Sequence, residues 1–217
     1  MKRKTIFDEY IEYQRLYEEK YGPQTIVFME VGSFFEIYGI QSDEESVQRI
    51  QRIGSLLNII VTKKNKKKVK TTKQNPLMAG FPNHSIHKFI QLLLSHQYTI
   101  ILVEQITPAP NPERDVTHIY SPSTYIESTN NSAQQYLMAL YVEEVVHYKT
   151  HEKQLCIAIS FLDCSTGENH IYESSSSSVS QKLSMEDAYR IIHGFQPREI
   201  SCWIQAEEER QSLVTEL

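Results

Sequence analysis

The most unusual segment of the chain is Gly32-Ser33-Phe34-Phe35-Glu36-Ile37-Tyr38. In an extended backbone side chains alternate, so Phe35 and Ile37 face one way and Phe34, Glu36 and Tyr38 the other. One face can pack; the other can act, with an aromatic ring beside a carboxyl group. A helix would separate Phe34 from Glu36, because residues i and i+2 do not share a helix face. The bland alternative is a strand end with both phenylalanines in the core. A second signal is the run Lys63, Lys64, Lys66, Lys67, Lys68, Lys70 and Lys73, seven positive charges within eleven residues and no acid among them. Such a run cannot collapse on itself, and it attracts a polyanion in a salt-sensitive, sequence-independent way. Its alternative is a solvated, flexible hairpin tip. His84 and His87 have no apparent third ligand, so capping or phosphate contact is the reading for them rather than metal binding.

Elements must position these residues. Ile6, Tyr10, Tyr13 and Tyr17 recur at helical spacing and stop before Gly22-Pro23. Thr25–Met29 reads as a buried strand. Ser42 and Glu45 have the form of a capping box ahead of a second helix containing Val47, Ile50 and Leu57. Asn58–Thr62 reads as a strand, because Ile59, Ile60 and Val61 are β-branched. Leu77–Pro82 returns the chain to the core, with Gly80 free to take positive φ. Ser85 is placed to cap a third helix whose Ile86, Phe89, Ile90, Leu93 and Leu94 form one apolar face. Tyr98–Val103 reads as a central strand, completing a small mixed sheet that carries helices.

The second half reads as strands Tyr136–Val146, Leu155–Leu162 and Glu168–Tyr172, with a tight hairpin across Asp163–Gly167. Ser174–Ser178 reads as a mobile loop. A helix around Gln181–His193 and a strand around Glu199–Ile204 follow, with Trp203 in the core, and one more helical start lies near Glu207. Strand-strand-strand-helix-strand is the order of the ribonuclease-H-like fold. The fold class is therefore α/β (α+β), in two domains, 1–128 and 129–217, separated within the turn-rich stretch Ser121–Ser132.

With 217 residues, 40% hydrophobic and 23% charged, the chain is large enough for a real core. The charge divides unevenly. Residues 1–128 hold 16 Lys+Arg against 14 Asp+Glu, net +2, and residues 129–217 hold 6 against 13, net −7, so the negative charge resides in the second domain. A uniformly basic DNA-coating protein is excluded; a local basic patch is not. Cys156, Cys164 and Cys202 form no C-x-x-C pair, which argues against a disulfide framework or a four-thiolate zinc site and fits a reducing compartment. No apolar run approaches the ~20 residues needed to span a bilayer. The N-terminus reaches Asp8 and Glu9 too soon for a secretory signal, so a non-secreted protein of the cytoplasm or another reducing compartment is expected.

Taken in order, these segments resemble the MutS family of DNA mismatch-recognition proteins. The family's G-x-F-Y-E is matched by Gly32-Ser33-Phe34-Phe35-Glu36. Its strand ending in L-T-K is matched by Val61-Thr62-Lys63, and its P-M-A-G-V-P-x-H by Pro76–His84 with one inserted Leu. Glu104-Gln105 corresponds to a strand closing in E-Q. Arg114–Thr124 matches the segment ending S-P-G-T that leads into the connector domain, with Ser123 for the usual Gly. Asp163-Cys164-Ser165-Thr166-Gly167 matches the connector's D-x-S-x-G. The resemblance covers about residues 5–205. It departs where Phe35 replaces Tyr, Ser33 replaces a frequent Asp, and Glu30 stands where an Arg is often found.

The resemblance implies binding of double-stranded DNA with mismatches or small loops. A mispaired step is poorly stacked and easily kinked, so an apolar wedge in its minor groove costs less there than in paired DNA. Phe34 would stack on the displaced base. Glu36 would read that base's edge, as the neutral acid or with a donor, since a carboxylate near phosphates is otherwise repelled. Tyr38 would line the same side beside Phe34; Lys63, Lys64, Lys66, Lys67, Lys68 and His84 would contact the backbone without reading sequence. The acidic domain would be the connector, a scaffold that docks a MutL-like repair partner. None of the seven glycines is followed by Lys, so no phosphate loop is present. No enzymatic step is expected on this chain, and no cofactor; ATP and Mg are expected in an ATPase region of a longer parent, itself a homo- or heterodimer.

Two other readings remain. A ribonuclease-H-like nuclease would need clustered carboxylates for divalent metals, beginning in the middle of its first strand, where Met138-Ala139-Leu140-Tyr141 offers none. A protein-interaction adaptor would carry the lysine loop as a solvated face and would not distinguish mismatched from paired duplex.

Overall fold

The computed structural model describes residues 4–68, 70–108, 110–126, 135–176 and 182–205. The chain forms two units, Met1–Pro122 and Ser123–Leu217, and the division falls at the start of the turn-rich stretch. Residues 127–132 of that stretch, Ser177 and Ser178, and the helical start near Glu207 lie outside the described residues.

In the first unit, α1 (Ile6–Tyr21) begins with a capping box. Thr5 Oγ1 accepts the Asp8 N–H while Asp8 accepts the Thr5 N–H, and Gly22 ends the helix at φ 88°. β1 (Thr25–Val31) runs parallel to β5 (Thr99–Gln105) and antiparallel to β2 (Phe34–Gly39). Where the β1–β2 ladder ends, buried Gln14 of α1 takes its place, donating to the Thr25 carbonyl at 2.8 Å and accepting the Val27 N–H at 3.0 Å. β3 (Thr62–Lys63), β4 (Leu77–Pro82) and β6 (Arg114–Tyr120) complete a six-stranded mixed sheet in the order β3-β4-β2-β1-β5-β6. The helices α2 (Glu44–Leu56) and α3 (Ile86–Ser95) contribute Ile50, Ile53, Ile90 and Leu93 to its core.

Four local expectations are corrected here. Asp43, not Ser42, caps α2, accepting the Ser46 N–H at 3.2 Å. Asn58–Val61 is not a strand, and of the expected run only Thr62 lies in one, at the start of β3. Asn58 takes φ 53° and Ile59 N–H turns back to the Gly54 carbonyl at 2.9 Å, using the donor that a ladder would need. Ser85 sits at the N-cap position of α3 without a side-chain bond, because the turn Asn83–Ser85 precedes it as a 3-10 helix. Gly80 is extended within β4; what requires glycine there is close approach, since a Cβ would lie 2.7 Å from the Phe35 carbonyl oxygen. β6 is a strand that hydropathy did not announce.

The second unit is a four-stranded sheet, β10-β7-β8-β9, built from β7 (Tyr136–Val146), β8 (Lys153–Asp163), β9 (Asn169–Ser176) and β10 (Glu199–Gln205), with α4 (Lys182–Phe195) on one face. The three leading strands are antiparallel and β10 runs parallel to β7. Met138, Leu140, Val142, Ile157, Ile159 and Phe161 pack toward Ala188 and Ile192 of α4. Two more expectations change. Ser174–Ser176 belong to β9 rather than to a loop. Trp203 is 68% exposed, because strand alternation turns Ile204 toward the α4-side core and Trp203 the opposite way.

Candidate nucleic-acid interface

Strand β2 carries the segment singled out by its sequence. Phe34, at its first position, is 46% exposed, and the next five residues are buried. Phe35 packs inward, 6.2 Å from the ring of Phe81, and Ile37 shares its face. Phe34, Glu36 and Tyr38 share the other face, but that face is open only at Phe34. Glu36 is 9% exposed and Tyr38 1%. The Tyr38 ring meets Tyr10 of α1 edge-on at 5.5 Å, its hydroxyl donates to Glu36 Oε2, and the Lys64 ammonium lies 6.0 Å from its ring centre. Tyr38 is therefore not a surface residue beside Phe34. The α1 layer covers it, and its accessible role is to hold the Glu36 carboxyl. Burial first, then the charge of Glu36, pushes the Tyr38 phenol up, so it stays a donor at any ordinary pH. Gly80 lies directly across from Glu36; its missing side chain leaves room for Glu36 Cγ, which a Cβ would meet at 3.0 Å.

The turn that presents Phe34 is tied from three directions. Gly32 supplies φ 62°. Glu30 Oε1 accepts from Asn83 Nδ2 at 2.6 Å and Glu30 Oε2 from the Gln105 N–H at 2.8 Å, while Asn83 N–H donates to the Ser33 carbonyl at 3.0 Å. Arg114 Nε donates to the Glu30 carbonyl at 2.8 Å, and its Nη1 lies 3.3 Å from Glu9. Thus Glu30, standing where the resemblance leads one to expect an Arg, acts as an internal tie. The sequence reading missed this network; Glu104-Gln105 was its one visible trace. His84 is exposed, two residues after Pro82, the register partner of Phe34.

The lysine run leaves the sheet from β3 and returns at β4. Lys63 is half-buried in β3; Lys64, Lys66, Lys67 and Lys68 are exposed. Lys73 is tied to Asp8 of α1 at 2.6 Å. That hydrogen bond, with those from Thr5, holds the Asp8 carboxyl at about 2, well below the usual carboxylate range. Far from being a loose tip, the run folds around buried Asn75.

In the second unit Asp163 occupies the β8–β9 turn. Its Oδ1 accepts from Ser165 Oγ at 2.6 Å and the Ser165 N–H at 2.9 Å, and Gly167 completes the turn at φ 78°. The Ser165 hydroxyl is the leading reason its carboxyl is held at about 2. No group of three His, Cys, Asp or Glu is placed to hold a metal among the described residues. No helix among them is long and apolar enough to cross a membrane.

A six-stranded mixed sheet that offers one half-exposed aromatic on the strand face of a tyrosine-held carboxyl, with a folded cationic loop at the other end of that strand, has the features of a nucleic-acid-binding domain. Comparison with known proteins gives the family: the profile of MutS domain I matches residues 11–129. The chain belongs to the MutS family. It is 28% identical over 199 residues to a DNA mismatch repair mutS homolog, L359, of Acanthamoeba polyphaga mimivirus, covering 91% of this chain and 18% of that protein. It is 31% identical over 163 residues to the DNA mismatch repair protein MutS of Methanosarcina acetivorans (71% and 17%), and 27% identical over 179 residues to that of Lactococcus lactis subsp. lactis (80% and 19%). The chain thus spans less than a fifth of the length of these relatives.

Proposed function

We propose that the first unit binds duplex DNA containing mispaired bases or small loops, as part of DNA mismatch repair. The observation that carries this reading is the half-exposed Phe34 on the same strand face as Glu36, whose carboxyl Tyr38 holds. Phe34 enters the minor groove at the weak step and stacks on the displaced base. Glu36 hydrogen-bonds that base's edge. Against intact duplex its negative charge, which the neutral Tyr38 hydroxyl does not cancel, meets phosphates without the bond to a displaced base, so paired DNA is disfavoured. Lysines of the 63–73 run and His84 hold the backbone and set register.

The second unit serves as the connector, a scaffold that docks a MutL-like partner. The parent protein works as a homo- or heterodimer in a reducing, DNA-containing compartment. ATP and Mg would act in an ATPase region of that parent protein.

The test is a competition between mismatched and fully paired duplexes of otherwise identical sequence. Preference for the mismatched duplex supports the reading. Equal affinity leaves the adaptor alternative standing.

A further inference from the structure

We propose that Asn75 is a positioning residue that presents Lys66, Lys67 and Lys68 as a fixed cationic turn to the phosphates of a DNA duplex. The inference rests on the lysine run meeting DNA, and adds how that run is shaped to do so. Seven like charges in eleven residues repel one another, and such blocks are ordinarily disordered. Here the block is folded instead. The Asn75 side chain is 1% exposed. Its carbonyl accepts the Asn65 N–H at 2.6 Å, and its amide donates to the carbonyls of Asn65 at 3.4 Å and Lys70 at 3.2 Å. Its backbone exchanges two hydrogen bonds with Thr72, at 2.9 and 3.1 Å.

Asn65, so held, shapes the lysine turn. Its side chain accepts the Lys67 N–H at 3.0 Å and its carbonyl the Lys68 N–H at 3.2 Å. Outside this clasp Thr71 bonds Gln41, and Lys73 pairs with Asp8. These bonds join the two arms of the loop and fasten its returning arm to the rest of the unit, while the side chains of Lys66, Lys67 and Lys68 remain exposed.

A solvated tip needs none of this, and confining three ammonium groups raises the free energy of the free protein. The arrangement gains when a partner with closely spaced negative charges neutralises them, and a duplex backbone offers that spacing. Ordering the loop beforehand removes a cost that binding would otherwise carry. Asparagine suits the position because the clasp needs both a donor and an acceptor on one short side chain; aspartate offers no donor.

The test measures binding of the full chain to a labelled, fully paired duplex over a series of KCl concentrations. Asn75→Ala keeps every lysine, so the log–log salt slope should be unchanged while affinity falls about three- to thirtyfold through the added ordering cost. The triple variant Lys66→Ala, Lys67→Ala, Lys68→Ala should lower the slope by about three. Amide exchange should show Asn65 and Lys67 losing protection in Asn75→Ala. Wild-type affinity in Asn75→Ala with those amides opened overturns the proposal. An unchanged slope in the triple lysine variant overturns the lysine–DNA reading itself, and the Asn75 role with it. Should Asn75→Ala not fold, Asn65→Ala removes the side-chain bond to the Lys67 N–H at an exposed position. It should weaken binding at constant slope, and wild-type affinity with the turn amides opened again overturns the proposal.

Discussion

Truncating Phe34 separates recognition from folding. The side chain opens β2 at 46% exposure, with Val31 and Pro82 as its register neighbours, so Phe34→Ala removes few core contacts. Its stability cost should be about 1 kcal/mol or less. Stacking of a base on an aromatic ring contributes roughly 1–3 kcal/mol, so mismatch affinity should fall about five- to a hundredfold, with paired-duplex affinity little changed. Phe35 is the internal control. It is 3% exposed and packed near Phe81, so Phe35→Ala should cost about 3–5 kcal/mol of stability through the cavity it leaves. Fluorescence anisotropy with mismatched and paired duplexes, run beside thermal melts of each variant, reads both quantities. The reasoning fails if Phe35→Ala stays folded and loses mismatch preference while Phe34→Ala retains it.

Three further outcomes are expected. Glu36→Gln keeps shape and hydrogen bonding but removes the negative charge, so paired-duplex affinity should rise and discrimination shrink; a fall in affinity for both duplexes would contradict the repulsive role. Magnesium or manganese should produce no cleavage of DNA or RNA, and metal-dependent cleavage that disappears with Asp163→Asn would overturn the scaffold assignment of the second unit. Asp8 has a folded pKa depressed from 3.8 to about 2 by Lys73 and Thr5, so its contribution to stability is complete above about pH 4 and is lost as pH falls toward 2. In Asp8→Asn the acid limb of the melting-temperature profile should therefore flatten; a limb identical to wild type would show that the Lys73 tie does not form in solution.

Much of the fold was legible because its signals are local. The helical spacing of Tyr10, the apolar stripe Ile90-Leu93-Leu94 and the continuous run Ile26–Met29 each identify an element without its partners. What escaped depends on partners. Strand β6 is largely polar and exposed, an edge strand defined by pairing with β5 rather than by hydropathy. Asn58–Thr62 has strand composition, but the left-handed turn at Asn58 closes α2 instead. At the site, alternation separates Phe34 from Phe35 correctly, yet it cannot say that α1 lies over Tyr38. Nor can spacing announce the Glu30–Asn83–Gln105 ties or the Asn75 clasp, whose partners are 5 to 75 residues apart in sequence.

A probe that finds weak steps in a duplex must be stiffer than the duplex it tests, or it deforms before the DNA does. Strand β2 meets that requirement: five of its six residues are buried, β4 pairs with it from Phe34 to Gly39, and β1 pairs with its leading half, Phe34 to Glu36. The turn before it is held by Glu30 through both carboxylate oxygens and by Arg114 through the Glu30 carbonyl. On the proposed reading, the free energy of inserting Phe34 therefore falls on the DNA, where a mispaired step yields more readily than a paired one. The cationic loop supplies attraction that is indifferent to pairing. The proposed reading thus assigns discrimination to Phe34 and Glu36 and affinity to the lysines, and this division predicts that changing the loop shifts both duplexes together while changing β2 shifts them apart.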